Sequence, residues 1–231
     1  MVSAGPVLVV GAGPTGLTMA CELARHGAPV RIVDKRAEID PHCRATSLHS
    51  RTLEVFHDLG IVDEVLAEGR PFLAFNEYAN GRHISRHPMG HVDSPYPFGL
   101  QLEQCRTEAI LEALVNRLGV TVERQTELLA LKEHADRIDS TLRRVDGREE
   151  TVVTPWLIAC DGAHSTVRHL THQSFPGAAD PHQFILADAL VEGPVAADEG
   201  YGFLHDTGVL YLFPLSAGAY ARRREPGNAP R

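Results

Sequence analysis

The chain has 231 residues, 43% hydrophobic and 23% charged, with a formal net charge of −8. This is an ordinary globular composition, long enough for one large domain or one and a half small ones, and its acidic balance argues against nonspecific binding to nucleic acid or an anionic membrane. Cys21, Cys43, Cys105 and Cys160 stand apart without a CxxC pair, which points to reduced thiols, and 13 histidines lack any HExxH spacing, so no metal site is expected.

Pro6–Val10 is a short continuous apolar run, as expected of a parallel strand covered on both faces. It feeds Gly11-Ala12-Gly13-Pro14-Thr15-Gly16, and those glycines, with no Lys or Arg before them, fit neither a signal peptide nor a membrane span. A soluble, cytoplasmic protein is the expectation. Leu17, Ala20, Cys21 and Ala24 then share one helical stripe that Gly27 stops, and Val30–Val33 forms a second strand ending in Asp34. Residues 47–68 read as two helical pieces broken at Gly60. Pro71–His87 carries strand residues around Asn80-Gly81, a strong hairpin signal, and residues 88–99 form a loop. Gln104–Leu118 is an amphipathic helix closed by Gly119. Residues 120–154 read as a β-meander with turns at His134-Ala135-Asp136 and Asp146-Gly147, and Trp156–Cys160 returns to the buried parallel style. Phe184–Val191 and Tyr201–Pro214 look like strands of a second sheet. The segment 216–231 has no hydrophobic period and reads as a disordered tail, or as a shifted reading frame that resequencing codons 215–231 would settle.

The chemistry concentrates in the first βαβ unit. Gly11 permits the tight turn, Gly13 lets the backbone approach a pyrophosphate, and Gly16 lets helix and strand pack closely. Pro14 suits a first helical turn, where its missing N–H loses no partner. Phosphates would lie at the helix N-terminus, and Asp34 can accept ribose hydroxyls. These residues define an adenine-dinucleotide site without choosing FAD over NAD.

Three further stretches carry a resemblance: Arg44-Ala45-Thr46-Ser47-Leu48-His49-Ser50-Arg51-Thr52-Leu53-Glu54-Val55-Phe56, Gln104-Cys105-Arg106-Thr107-Glu108, and Asp161-Gly162-Ala163-His164-Ser165-Thr166-Val167-Arg168. Over about residues 6–215 the chain resembles the N-terminal part of the class A flavoprotein monooxygenases, the group of para-hydroxybenzoate and phenol hydroxylases. The resemblance implies an α/β fold: a Rossmann-like FAD-binding domain over 1–175 with an inserted β-meander, the start of a mostly β substrate domain over 176–215, and the tail over 216–231. It implies FAD as cofactor and NAD(P)H as co-substrate. A flavin hydroperoxide would then hydroxylate a phenolic or polyketide-like aromatic substrate with dioxygen. Gly11, Gly13, Pro14, Thr15, Gly16 and Asp34 match the family's FAD fingerprint, and Arg44 an arginine along the FAD. Gln104 and Arg106 match a helix start at the ribityl-phosphate region, and Asp161, Gly162 and Arg168 an Asp-Gly motif linked to FAD and NAD(P)H. The bare residues also allow Asp161-Gly162 to be a strand-ending turn before a Ser165 helix cap, and Arg51 with Glu54 a helical ion pair. The family's second flavin motif, a Gly-Asp pair before a His-, Pro- and Gly-rich run, has no match here. The alternative expectation is therefore a truncated, non-catalytic fragment with at most residual dinucleotide binding.

Overall fold

A computed structural model describes residues 5–41, 45–178 and 185–215, together with the backbone of 219–224. The first elements in chain order are β1 (Val7–Val10), α1 (Pro14–Arg25), β2 (Val30–Asp34), β3 (Ser47–Leu48), α2 (Ser50–Asp58), α3 (Val62–Glu68), β4 (Arg70–Phe72), β5 (Ala74–Ala79), β6 (Arg82–Pro88) and β7 (Gly99–Gln101). After them come α4 (Gln104–Arg117), β8 (Val122–Arg124), β9 (Glu127–Glu133), β10 (Ile138–Arg143), β11 (Glu149–Thr154), β12 (Leu157–Ala159), α5 (Thr166–Leu170), β13 (Ile185–Leu190), β14 (Glu199–His205), β15 (Gly208–Pro214) and β16 (Ala219–Arg224). Backbone contacts divide them into two compact units, Met1–His42 with Cys105–Pro176 and Cys43–Gln104 with Gly177–Arg231.

The first unit holds a parallel sheet of order β12-β1-β2-β8. Leu8, Val9, Ile32 and Val33 are completely buried there, which explains their unbroken apolar runs. Helix α1 buries Leu17, Ala20 and Cys21, the stripe that its 3.6-residue period sets up. Full burial of one such leucine stabilises by about 1.5–3 kcal/mol. The helix stops because Gly27 takes φ +74°, allowing the Gly27 and Ala28 N–H groups to reach Ala24 O and Leu23 O, both at 2.9 Å. The meander forms an antiparallel sheet of order β11-β10-β9, and its Leu128 and Leu142 join Leu8, Val10, Val33 and Val167 in one core cluster. Arg31 on β2 forks onto Glu123 of β8 at 2.5 and 2.8 Å and also bonds Glu150 of β11. Arg144 closes this four-charge network at 3.2 Å from Glu123 and 3.0 Å from Glu150.

The second unit contains a three-stranded sheet β3-β7-β4 and a six-stranded sheet β13-β16-β15-β14-β5-β6. The Asn80-Gly81 turn has φ +48° and +77°, the pair of left-handed residues that a two-residue hairpin needs. Gly200 and Gly202 lie under aromatic rings; an added Cβ at Gly200 would come within 2.5 Å of the Phe72 ring. Phe72, Phe75, Tyr211 and Phe213 thereby pack on one face, with ring centroids 6.0 to 6.3 Å apart.

The sheet class, the meander and most elements follow the sequence reading. Residues 43–104, read from sequence as part of a 1–175 domain, instead group with the second unit. The reason is β5, which pairs in parallel with β14 over Ala74↔Glu199 to Ala79↔Leu204. The disordered-tail reading is corrected at 219–224, where the backbone forms β16 between β13 and β15. A strand hydrogen-bonded on both sides is held by its ladders and needs no apolar period. Residues 216–218 and 225–231 lie outside the described residues.

Candidate dinucleotide site

The turn after β1 is shaped by what its glycines exclude. Gly11 has φ +100°, and an added Cβ would stand 2.4 Å from the carbonyl oxygen of Cys160. At Gly16 an added Cβ would lie 1.8 Å from Gly11 O. Both positions therefore admit only glycine, one for backbone direction and contact, the other for close helix–strand packing. Gly13 differs: an added Cβ would meet nothing within 4 Å. Gly13 is the N-cap of α1, with Pro14 following and no side chain capping the helix start. Thr15 is exposed in that first turn. The positive end of the helix dipole thus faces open space beside Gly13, the arrangement that favours an anion.

Asp34, at the end of β2, is 5% exposed. Its Oδ2 accepts from the Ala12 N–H at 2.7 Å, and its Oδ1 from the Arg36 N–H at 2.8 Å and from Arg36 Nε at 3.4 Å. Burial pushes the carboxyl pKa up, but these hydrogen bonds and the Arg36 charge outweigh it, and the net shift is downward. An ionised carboxylate offers about four acceptor sites, so Asp34 can brace the glycine turn and still receive hydroxyl donors.

The Asp161-Gly162 pair follows β12, the neighbour of β1 on its other side. The Cys160 N–H bonds Val10 O at 2.8 Å. Asp161 Oδ1 accepts from Ser165 Oγ at 2.6 Å and Oδ2 from the Val167 N–H at 3.1 Å. Ser165 Oγ in turn accepts from the Arg168 N–H at 3.0 Å. The contacts are those of a turn and a helix cap for α5. Gly162 has φ +80° with open space where a Cβ would sit. Arg168 donates to Ala163 O at 2.9 Å and stacks 4.8 Å from the Phe175 ring centroid. The ion pair read from sequence between Arg51 and Glu54 is present at 2.8 Å.

Gly11, Gly13, Pro14, Thr15, Gly16, Asp34, Asp161 and Gly162 thus collect at the carboxyl edge of β1, β2 and β12, where ligands of α/β sheets bind. Gln104 and Arg106 open α4, but two positions apart they leave a helix in different directions. The Gln104 N–H bonds Ala45 O at 3.0 Å. Arg44 lies outside the described residues. The sequence reading missed Arg36 and Cys160. Arg36 has a visible signal, a cation two residues beyond the strand-ending acid. Cys160 has none beyond preceding Asp161, and burial, then Asp161, raises its thiol pKa. Among the described residues there is no metal-binding cluster and no helix long and apolar enough to cross a membrane.

The model of the FAD binding domain family matches residues 5–214. The chain therefore belongs to that FAD-binding domain family. It is 38% identical over 214 residues to 6-methylpretetramide 4-monooxygenase of Streptomyces rimosus, an alignment that covers 91% of this chain and 38% of that protein. Among solved structures, it is 29% identical to OxyS anhydrotetracycline hydroxylase from Streptomyces rimosus, with TM-score 0.76 over 98% of this chain and 46% of the other. p-Nitrophenol 4-monooxygenase PnpA from Pseudomonas putida DLL-E4 shares the fold at TM-score 0.90 and 19% identity, covering 99% of this chain and 59% of that one. The chain spans well under half the length of the curated relative it matches.

Proposed function

We propose that this chain is the FAD-binding portion of an NAD(P)H-dependent monooxygenase that hydroxylates a phenolic or polyketide-like aromatic substrate. The observation that carries the reading is the family match over residues 5–214, joined to a glycine turn whose shape suits the cofactor. The residues fit FAD: the side of Gly13 is open where a pyrophosphate must approach, while Gly11 and Gly16 are closed against their own backbone. In this reading the α1 N-terminus holds the pyrophosphate, Asp34 receives ribose hydroxyls, and Gly162 leaves backbone room at the end of β12. Arg44, Gln104 and Arg106 take the roles that the family resemblance gives them, phosphate neutralisation and contact with the ribityl arm. Bound FAD supplies the redox and oxygen chemistry; the protein supplies binding, orientation and exclusion of water. The expected compartment is the cytoplasm.

The test is direct. Purified protein should be yellow, with flavin bands near one FAD per chain, and NADH or NADPH oxidation should rise on adding phenols. A colourless protein that takes up no FAD would overturn the reading.

A further inference from the structure

Asp34 ends β2 with both of its carboxylate oxygens already in use. Oδ2 takes the Ala12 N–H at 2.7 Å, which ties the acid to the glycine turn. Oδ1 takes two donors from one residue, the Arg36 N–H at 2.8 Å and Arg36 Nε at 3.4 Å. The first of these closes an Asx turn, an aspartate bonding the backbone two residues on. The segment is fixed from the far side as well: the Thr126 N–H bonds Asp34 O and the Gln125 N–H bonds Arg36 O, both at 3.0 Å. The backbone donor on Oδ1 is therefore built into the fold, and only the guanidinium depends on which side chain stands at position 36. Charge draws it there. Burial opposes its ionisation, but the bond to Asp34 and the charges of Asp34, Glu108 and Asp40 outweigh burial, and the net shift of its pKa is upward. All of these residues belong to the first unit, which also holds the glycine turn.

An ionised carboxylate has about four acceptor sites, two on each oxygen. Both sites on Oδ1 are taken and one on Oδ2, so a single acceptor site is left, on Oδ2. A ribose offers two neighbouring hydroxyls. We propose that Arg36 is a specificity-determining residue for the cofactor's ribose: by holding Oδ1 it limits Asp34 to one hydroxyl, received at Oδ2. The inference rests on the FAD reading and narrows its account of the ribose to one bond, set by a side chain outside the glycine fingerprint.

The test titrates FAD and two analogues, lacking the 2′- or the 3′-hydroxyl of the adenosine ribose, into the full 231-residue chain and into Arg36→Met. Quenching of flavin fluorescence reads binding, and thermal unfolding is recorded without ligand. In the wild type one analogue should bind about tenfold more weakly than FAD and the other within about twofold, because only one of them loses a charge-assisted hydrogen bond. Arg36→Met removes the guanidinium and frees a site on Oδ1, so both analogues should then bind about tenfold more weakly than FAD. An Arg36 that only supports the fold would weaken all three ligands by one factor and keep the wild-type ranking, and that result overturns the role. Equal losses for the two analogues in the wild type overturn it too, as does the absence of a loss for either. Should Arg36→Met show no cooperative unfolding, Arg36→Ala takes its place under the same criteria. A wild-type chain that takes up no FAD overturns the FAD reading and this inference together; FAD uptake that depends on both hydroxyls removes only the role of Arg36.

Discussion

At Gly16 an added methyl would sit 1.8 Å from a backbone oxygen, whereas at Gly13 it would sit in open space. Two glycines of one motif therefore answer differently to the same substitution. Gly16→Ala must push α1 off β1 and should destabilise by about 1–3 kcal/mol or more, seen as a lower thermal midpoint even without ligand. Gly13→Ala should leave that midpoint within a few degrees and weaken FAD binding, measured by titration. Asp34 makes the second residue-scale prediction. Its pKa is depressed in the folded chain, so its stabilisation is complete above the unfolded value of about 3.9 and disappears as pH falls through the lower folded value. Asp34→Asn should cost about 1–3 kcal/mol at neutral pH, and the gap between wild type and variant should close as pH drops below about 4. Thermal unfolding across pH 3 to 7, as a chosen range, reads this out; a gap that persists undiminished at the acid end would refute the assignment. Cys21 is a quieter case. Burial, chiefly, pushes its thiol up to about 11, which makes it a poor nucleophile in the native state.

At the scale of elements, short helices depend on their first turn. Helix α5 has only five residues, Thr166–Leu170, too few to persist on local propensity. It is held by Val167, packed in the core, and by the chain of bonds from Asp161 through Ser165 to the Arg168 N–H. Ser165→Ala should therefore cost about 1 kcal/mol, with faster hydrogen exchange confined to residues near the helix start. Equal exchange in both proteins would show the cap to be dispensable. Elements of this local kind were legible in the sequence. The βαβ unit announced itself through an apolar run, a glycine turn and a strand-ending acid; the Asn80-Gly81 hairpin through its turn chemistry; the meander through its turns. The residues proposed for the dinucleotide cradle lie together for the same reason, because the glycines, Pro14 and Asp34 fall within one supersecondary unit.

At the scale of the molecule, what stayed hidden is partnership. Nothing in Ala74–Ala79 says that its neighbour is Glu199–His205, because side-chain alternation sets a strand's faces and not its edge partner. The tail strand β16 escaped notice because ladders on both flanks hold a sequence that has no pattern of its own. The buried Gln101 was equally silent, an amide inside the apolar run Gly99-Leu100-Gln101-Leu102 that accepts from the hydroxyls of Thr46 and Ser47, more than fifty positions away. Ligand linkage gives the whole-molecule prediction. On the proposed FAD reading, in which the cofactor binds only the folded chain, saturation at about 100 times its dissociation constant should raise unfolding free energy by about 2.7 kcal/mol. The thermal midpoint should therefore climb with FAD concentration; a midpoint indifferent to FAD would contradict binding to the native state.

The parallel pairing of β5 with β14 also has a consequence on the ribosome. From Ala74 to Glu199 is 199 − 74 = 125 positions, which at about 5–20 residues per second of synthesis takes about 6–25 s. Once Pro88 has followed, the β5–β6 hairpin spends the rest of that interval with one edge unpaired, an open template for a neighbouring nascent chain. Its flank carries Arg82 and Arg86, charges that discourage pairing along β6, while the β5 edge must wait for its partner. Slowing initiation, and so spacing the ribosomes on the message, should raise the yield of dispersed protein from this chain more than lowering the temperature of the finished product.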